Sequence, residues 1–102
     1  MNENQLHSLL ASGSLFALNV DGVRHIPALF LDESLNQDRV RALCRRMKRT
    51  VPPDAQLDVL TFESVALGRI TPLAASATQD GYRRALEVAN NYASWWTPAS
   101  RP

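Results

Sequence analysis

Hydrophobic residues change their spacing several times along the 102-residue chain, and each change marks an element. Within residues 1–14, Leu6, Leu9 and Leu10 stand at i, i+3 and i+4, the spacing of one helical face, and Ser12-Gly13-Ser14 supplies a stop. A helix this short is marginal in water, where isolated helices need roughly 12–15 residues. Its leucines therefore need a docking surface, expected to be the element that follows. Residues 15–20 and 23–31 are rich in β-branched and large apolar side chains and flank Asp21-Gly22, a pair suited to the positive φ of a type I′ turn. The predicted hairpin places Phe16, Leu18 and Val20 on one face and Leu15, Ala17 and Asn19 on the other. Pro27 has no N–H to give a ladder, so it marks an edge or the end of the second strand.

A helical period follows over residues 33–49, entered through the capping oxygens of Asp32-Glu33-Ser34, with Val40, Leu43, Cys44 and Met47 as its buried stripe. Thr50-Val51-Pro52-Pro53 breaks it. The next helix starts near Asp54, carries Leu57, Leu60 and Thr61 on one side with Val59 and Phe62 widening the apolar surface, and is expected to be mostly buried. The chain is organised around Leu67-Gly68-Arg69-Ile70-Thr71-Pro72-Leu73. Gly68 can take positive φ, and Thr71-Pro72 reads as an N-cap followed by the first helical position. One or two helical turns over residues 72–77 lead to Thr78-Gln79-Asp80-Gly81, a corner that caps the last helix. There Ala85, Leu86, Ala89, Ala93 and Trp96 form a seam whose small residues allow close helix packing. The expected fold is α+β: a short N-terminal helix, one β-hairpin, and three to four helices packed on it. It forms one domain over residues 15–96, followed by a Pro-rich, flexible tail at 97–102.

Composition narrows the picture. The length suits one domain of the common size, about 100–150 residues, and 45% hydrophobic residues suffice for one core. A net charge of +1 excludes nucleic-acid or membrane attraction by bulk charge. No apolar run reaches the ~18–20 residues of a membrane span, and the N-terminus lacks the basic region of a signal peptide, so a cytoplasmic protein without membrane contact is expected. The single cysteine, Cys44, has no internal disulfide partner and fits a reducing compartment.

Charge is unevenly placed. Arg39, Arg41, Arg45, Arg46, Lys48 and Arg49 comprise six of the eleven basic residues. They read first as the solvated face of an amphipathic helix whose C-terminus favours cations. The alternatives are a patch for an acidic protein or, less favoured without interleaved aromatic residues, for nucleic-acid phosphates. Motifs for chemistry are missing: there is no phosphate-binding glycine loop, zinc helix or nucleophile elbow, and only His7 and His25 as histidines. His25 has no metal-ligand partner by spacing and is expected to point outward from the hairpin. Asp58 and Glu63, five residues apart, do not share a helical face as an acid/base pair would. Cys44 falls on the apolar stripe and reads as inert packing. No catalysis, cofactor or metal is expected. Adjacent Trp95 and Trp96 project about 100° apart on a helix. Trp96 extends the seam into the core, and Trp95 is the better candidate for an exposed anchor, weighed against the commoner fate of packing under the N-terminal helix or the tail.

The order of hairpin, helix, Pro-interrupted helix, Gly-x-x-Thr-Pro-Leu turn and Ala-rich helix resembles the C-terminal toxin-binding domain of Xre/MbcA/ParS-type antitoxins. The likeness runs from about residue 15 to residue 93. It is carried by Val20-Asp21-Gly22, by Ile26-Pro27-Ala28-Leu29-Phe30-Leu31-Asp32, by Pro52-Pro53, by residues 57–61 and by the turn from Leu67 to Leu73 with the helix after it. The resemblance implies a non-enzymatic domain that binds a RES-type, NAD-degrading toxin and covers its active-site cleft. It implies contact through Gly68, Arg69, Thr71, Pro72 and Leu73 and through Tyr92 and Trp95 on the last helix, with an apolar patch near Trp95 and the Thr71-Pro72 turn. Residues 1–14 are too short for the helix-turn-helix usual in that family, Ile70 is interposed where the turn more often reads Gly-Arg-Thr-Pro, and Ala74-Ala75 replace a more acidic helix start. The alternative is a small nucleic-acid-associated protein using the basic face of helix 33–49. Homodimerisation through the last helix is compatible with either.

Overall fold

A computed structural model describes residues 2–96. The elements are α1 (Glu3–Ser12), β1 (Leu18–Val20), β2 (Val23–His25), a 3₁₀ turn (Ala28–Leu31), α2 (Gln37–Met47), α3 (Pro53–Thr61), a second 3₁₀ turn (Val65–Leu67), α4 (Pro72–Ala75) and α5 (Gln79–Trp95). The arrangement is α+β, with one antiparallel hairpin between a short helix and a group of helices. The tail expected at residues 97–102 lies outside the described residues.

α1 opens with a capping box: the Asn2 side chain accepts from the Gln5 N–H at 2.8 Å, and the Gln5 side chain accepts from the Asn2 N–H at 3.0 Å. It closes at left-handed Gly13, where the N–H groups of residues 13 and 14 return to the carbonyls of Leu10 and Leu9. Leu6, Leu9 and Leu10 pack half-buried against the core. The polar ties at its end run to α2. Arg45 donates to Ser14 Oγ at 2.8 Å, and Lys48 Nζ donates to the Ala11 carbonyl. α1 has no cation in its own last turn, so α2 supplies the positive charge that its carbonyl end favours.

The hairpin is shorter than its apolar pattern predicts. Leu18 pairs with His25, Asn19 with Arg24 and Val20 with Val23, around a turn with φ of +52° at Asp21 and +81° at Gly22. Leu15 and Phe16 are neighbours in sequence yet both buried, because the chain enters the core before pairing begins. The predicted alternation of faces therefore does not hold there. Pro27 ends the ladder and leads into the first 3₁₀ turn, which buries Phe30 edge-on against Phe16 with ring centroids 5.0 Å apart. His25 is exposed, as expected.

α2 begins at Gln37, later than residue 33. Asp32 Oδ1 accepts from both the Ser34 N–H and the Ser34 hydroxyl, a local turn that competes with helix, and Asn36 caps instead by accepting from the Arg39 N–H. Val40, Leu43, Cys44 and Met47 are fully buried, as the periodicity requires. α2 packs most extensively on α5, where Ala85 and Ala89 permit the approach. Thr50 Oγ1 fastens the two by donating to the Ala93 carbonyl at 3.0 Å. α5 is capped by Thr78, whose Oγ1 accepts from the Gly81 N–H at 3.0 Å, and α4 lies against its start.

Candidate interaction surface

The central turn forms a closed loop between α3 and α4. The Ser64 N–H donates to the Ile70 carbonyl at 3.0 Å, and the Arg69 N–H donates to the Ser64 carbonyl at 2.8 Å. Gly68 has φ +76°, as predicted, and Arg69 follows at φ +67°. That backbone costs a residue with a Cβ about 1–2 kcal/mol. Thr71 Oγ1 accepts from the Ala74 N–H at 3.0 Å, Pro72 is buried as the first helical residue, and Leu73 packs half-buried on the core. Of the turn residues assigned to a partner, Gly68 and Arg69 thus stand at an exposed tip, while Thr71, Pro72 and Leu73 hold α4 in place.

A different set of residues meets the last helix. Trp95 is 72% exposed, while Trp96 is half-buried and stacked on Tyr92 at 5.8 Å. Phe62, expected on the buried side of α3, is 64% exposed. It is the C-cap, with φ −94° and ψ 143°, so the chain turns extended there and carries the ring off the helix's buried face. Asp58, Val59, Phe62, Glu63, Ser64, Val88 and Tyr92 line a groove of about 290 Å³. Ser64, Ala66, Val88, Asn91, Tyr92 and Trp95 line another of about 380 Å³. The two share Ser64, Val88 and Tyr92, and so make one surface that runs from Phe62 to Trp95. The apolar patch near Trp95 is therefore completed by residues 62–66 and not by Thr71-Pro72. Val88, Tyr92 and Trp95 stand at i, i+4 and i+7, a second apolar stripe on α5 beside the Ala-rich seam, and that spacing was the available signal.

The arginine-rich helix does not present a uniform cationic face. Arg39 donates to the Ser76 carbonyl at 2.8 Å and to Gln79 Oε1 at 3.1 Å, with its guanidinium 5.4 Å from the centre of the Tyr82 ring. It is a tie between α2 and the α4–α5 corner. Arg45 and Lys48 hold the end of α1, and Arg41 is half-buried between α1 and Leu31. Arg46 and Arg49 remain exposed, beside Ala93 and Ser94.

Burial pushes the Cys44 thiol up to about 12, against a smaller opposing pull from Arg45, so at neutral pH it is an unreactive thiol. Among the described residues no group of three or more His, Cys, Asp or Glu is placed to hold a metal ion, and no helix is long and apolar enough to cross a membrane. Comparison with known proteins finds no matching family model, curated protein or solved structure.

Proposed function

We propose that this chain is a non-enzymatic protein-interaction domain that acts, antitoxin-like, by occluding a partner protein. The observation that carries the reading is the continuous apolar surface from Phe62 to Trp95, built from the end of α3, the following loop and α5. Large aromatic side chains left in water on a rigid helix are the usual anchors of protein interfaces, where burial of one ring contributes about 2 kcal/mol or more. The turn tip at Gly68 and Arg69 adds a second exposed feature on the same loop. Under the antitoxin resemblance the partner is a RES-type toxin. The competing nucleic-acid reading is weakened by the donors that Arg39, Arg45 and Lys48 direct inside the chain.

The test is purification of the tagged chain from its source cells at moderate salt, with mass spectrometry of co-eluting proteins, comparing wild type with Trp95→Ala. We expect one stoichiometric protein, absent from the Trp95→Ala sample and toxic when expressed alone. Recovery of nuclease-sensitive material and nothing else would sink the proposal.

A further inference from the structure

We propose that the surface between Phe62 and Trp95 receives a partner segment that is at once apolar and basic, offering Lys or Arg side chains to Asp58 and Glu63. This rests on the reading of that surface as the partner-binding face. Among the described residues, Asp58 and Glu63 are the only charged side chains that line the two grooves, and no cation lines either. Among the described residues, neither carboxylate takes part in an ion pair or a side-chain hydrogen bond; the ion pairs are those of Asp80 with Arg83 and Arg84.

A partner that covers the apolar floor removes water from these carboxylates, which is strongly unfavourable unless a positive group replaces it. Lys and Arg fit on three counts. Their charge answers the carboxylates, their aliphatic stems lie well on apolar surface, and their charged heads are attracted to the faces of exposed aromatic rings. An acidic or purely apolar segment answers none of the first requirement. A second copy of this chain carries exposed cations such as Arg24, Arg46, Arg49 and Arg69, none of which lines these grooves. Seating them on Asp58 and Glu63 makes a head-to-tail contact between different faces, which forms open chains unless the rotation happens to close. A separate partner is the occupant we assign.

The full chain, labelled with ¹⁵N, is titrated with a short amphipathic peptide of Leu and Lys, and separately with the same peptide carrying Glu for every Lys. The indole N–H resonance of Trp95, assigned with Trp95→Phe, is the readout. We expect the Lys peptide to shift it saturably, the Glu peptide to leave it unmoved, and Asp58→Asn with Glu63→Gln to weaken the Lys peptide about tenfold, two partly screened charge pairs together. The distant pair Asp21→Asn with Glu33→Gln serves as the charge control and leaves affinity unchanged. Equal binding of both peptides, or no loss in the Asp58/Glu63 variant, overturns the proposal. So does sedimentation showing that the chain self-associates with Trp95 buried. If the captured partner depends on Trp95 but is indifferent to Asp58→Asn with Glu63→Gln, the interaction reading stands and the basic-segment inference fails.

Discussion

Gly81→Ala tests the corner on which α4, α5 and Arg39 converge. In an ordinary helix this change favours folding by about 1 kcal/mol, because alanine restricts the unfolded chain and suits the helix. Here a Cβ on residue 81 would lie 2.1 Å from the Ala75 carbonyl oxygen, 2.8 Å from Thr78 Oγ1 and 3.0 Å from the Ala75 carbonyl carbon. Ordinary carbon–oxygen contacts lie near 3.3–3.6 Å, so the backbone must open by about 1.2 Å or more. The obstacle is main chain and cannot rotate away. Forced overpacking of this kind costs about 1–3 kcal/mol. Opening the corner also stretches the Thr78 cap, about 1 kcal/mol, and the charged hydrogen bond from Arg39 to the Ser76 carbonyl, about 1.5 kcal/mol if lost. Against the 1 kcal/mol helix gain, the expected net is a loss of about 2 kcal/mol if the Arg39 bond survives and about 3.5 kcal/mol if it is lost. Even the smaller loss is a large part of the about 5–15 kcal/mol that keeps a domain folded, and at this size it lowers Tm by roughly 10 °C. Urea unfolding followed by far-UV circular dichroism measures it, with an unchanged m-value showing that the same surface is exposed. A Gly81→Ala protein as stable as wild type, or more so, would refute the close approach of α5 to the end of α4.

Arg39→Met keeps the stem and removes the guanidinium. It should destabilise by about 1–3 kcal/mol in the same assay, since the half-buried tie to the Ser76 carbonyl is broken, whereas Arg46→Met should stay within about 0.5 kcal/mol. Arg69→Gly relieves a left-handed backbone at a non-glycine position and should raise stability by about 1 kcal/mol, read as a higher urea midpoint. Cys44 should react with an aromatic disulfide reagent only after unfolding, and a fast native reaction would contradict its burial. The folded thiol titrates above its ordinary value of about 9, so its contribution is complete below that pH and is lost as pH rises from about 9 towards 12. The urea midpoint of the wild type should fall in that window more than that of Cys44→Ala.

Local chemistry made several features readable in the linear chain. Asp21-Gly22 forms the hairpin turn because few residue pairs accept two successive positive φ values. Thr71-Pro72 and Thr78 start their helices because a hydroxyl can meet an orphan N–H within three residues. Val40, Leu43, Cys44 and Met47 are buried because period alone assigns them to one helical face. Each of these needs only neighbours in sequence.

What the sequence by itself did not determine was which polar and apolar groups meet across long separations. Arg39 reads as one more surface arginine until its acceptors appear at residues 76 and 79, and Arg45 and Lys48 likewise until α1 comes to rest beside them. Phe62 reads as core until the chain turns extended at that residue and leaves its ring in water. Trp95 had two fates by composition, and the packing of Trp96 on Tyr92 leaves it outside. The surface from Phe62 to Trp95 joins two segments some thirty residues apart, so its existence depends on how α3 and α5 are packed together. Helical period specifies which side of a helix is apolar. Only the tertiary arrangement decides whether another element covers that side or it remains in water, because burial is a property of the space between elements.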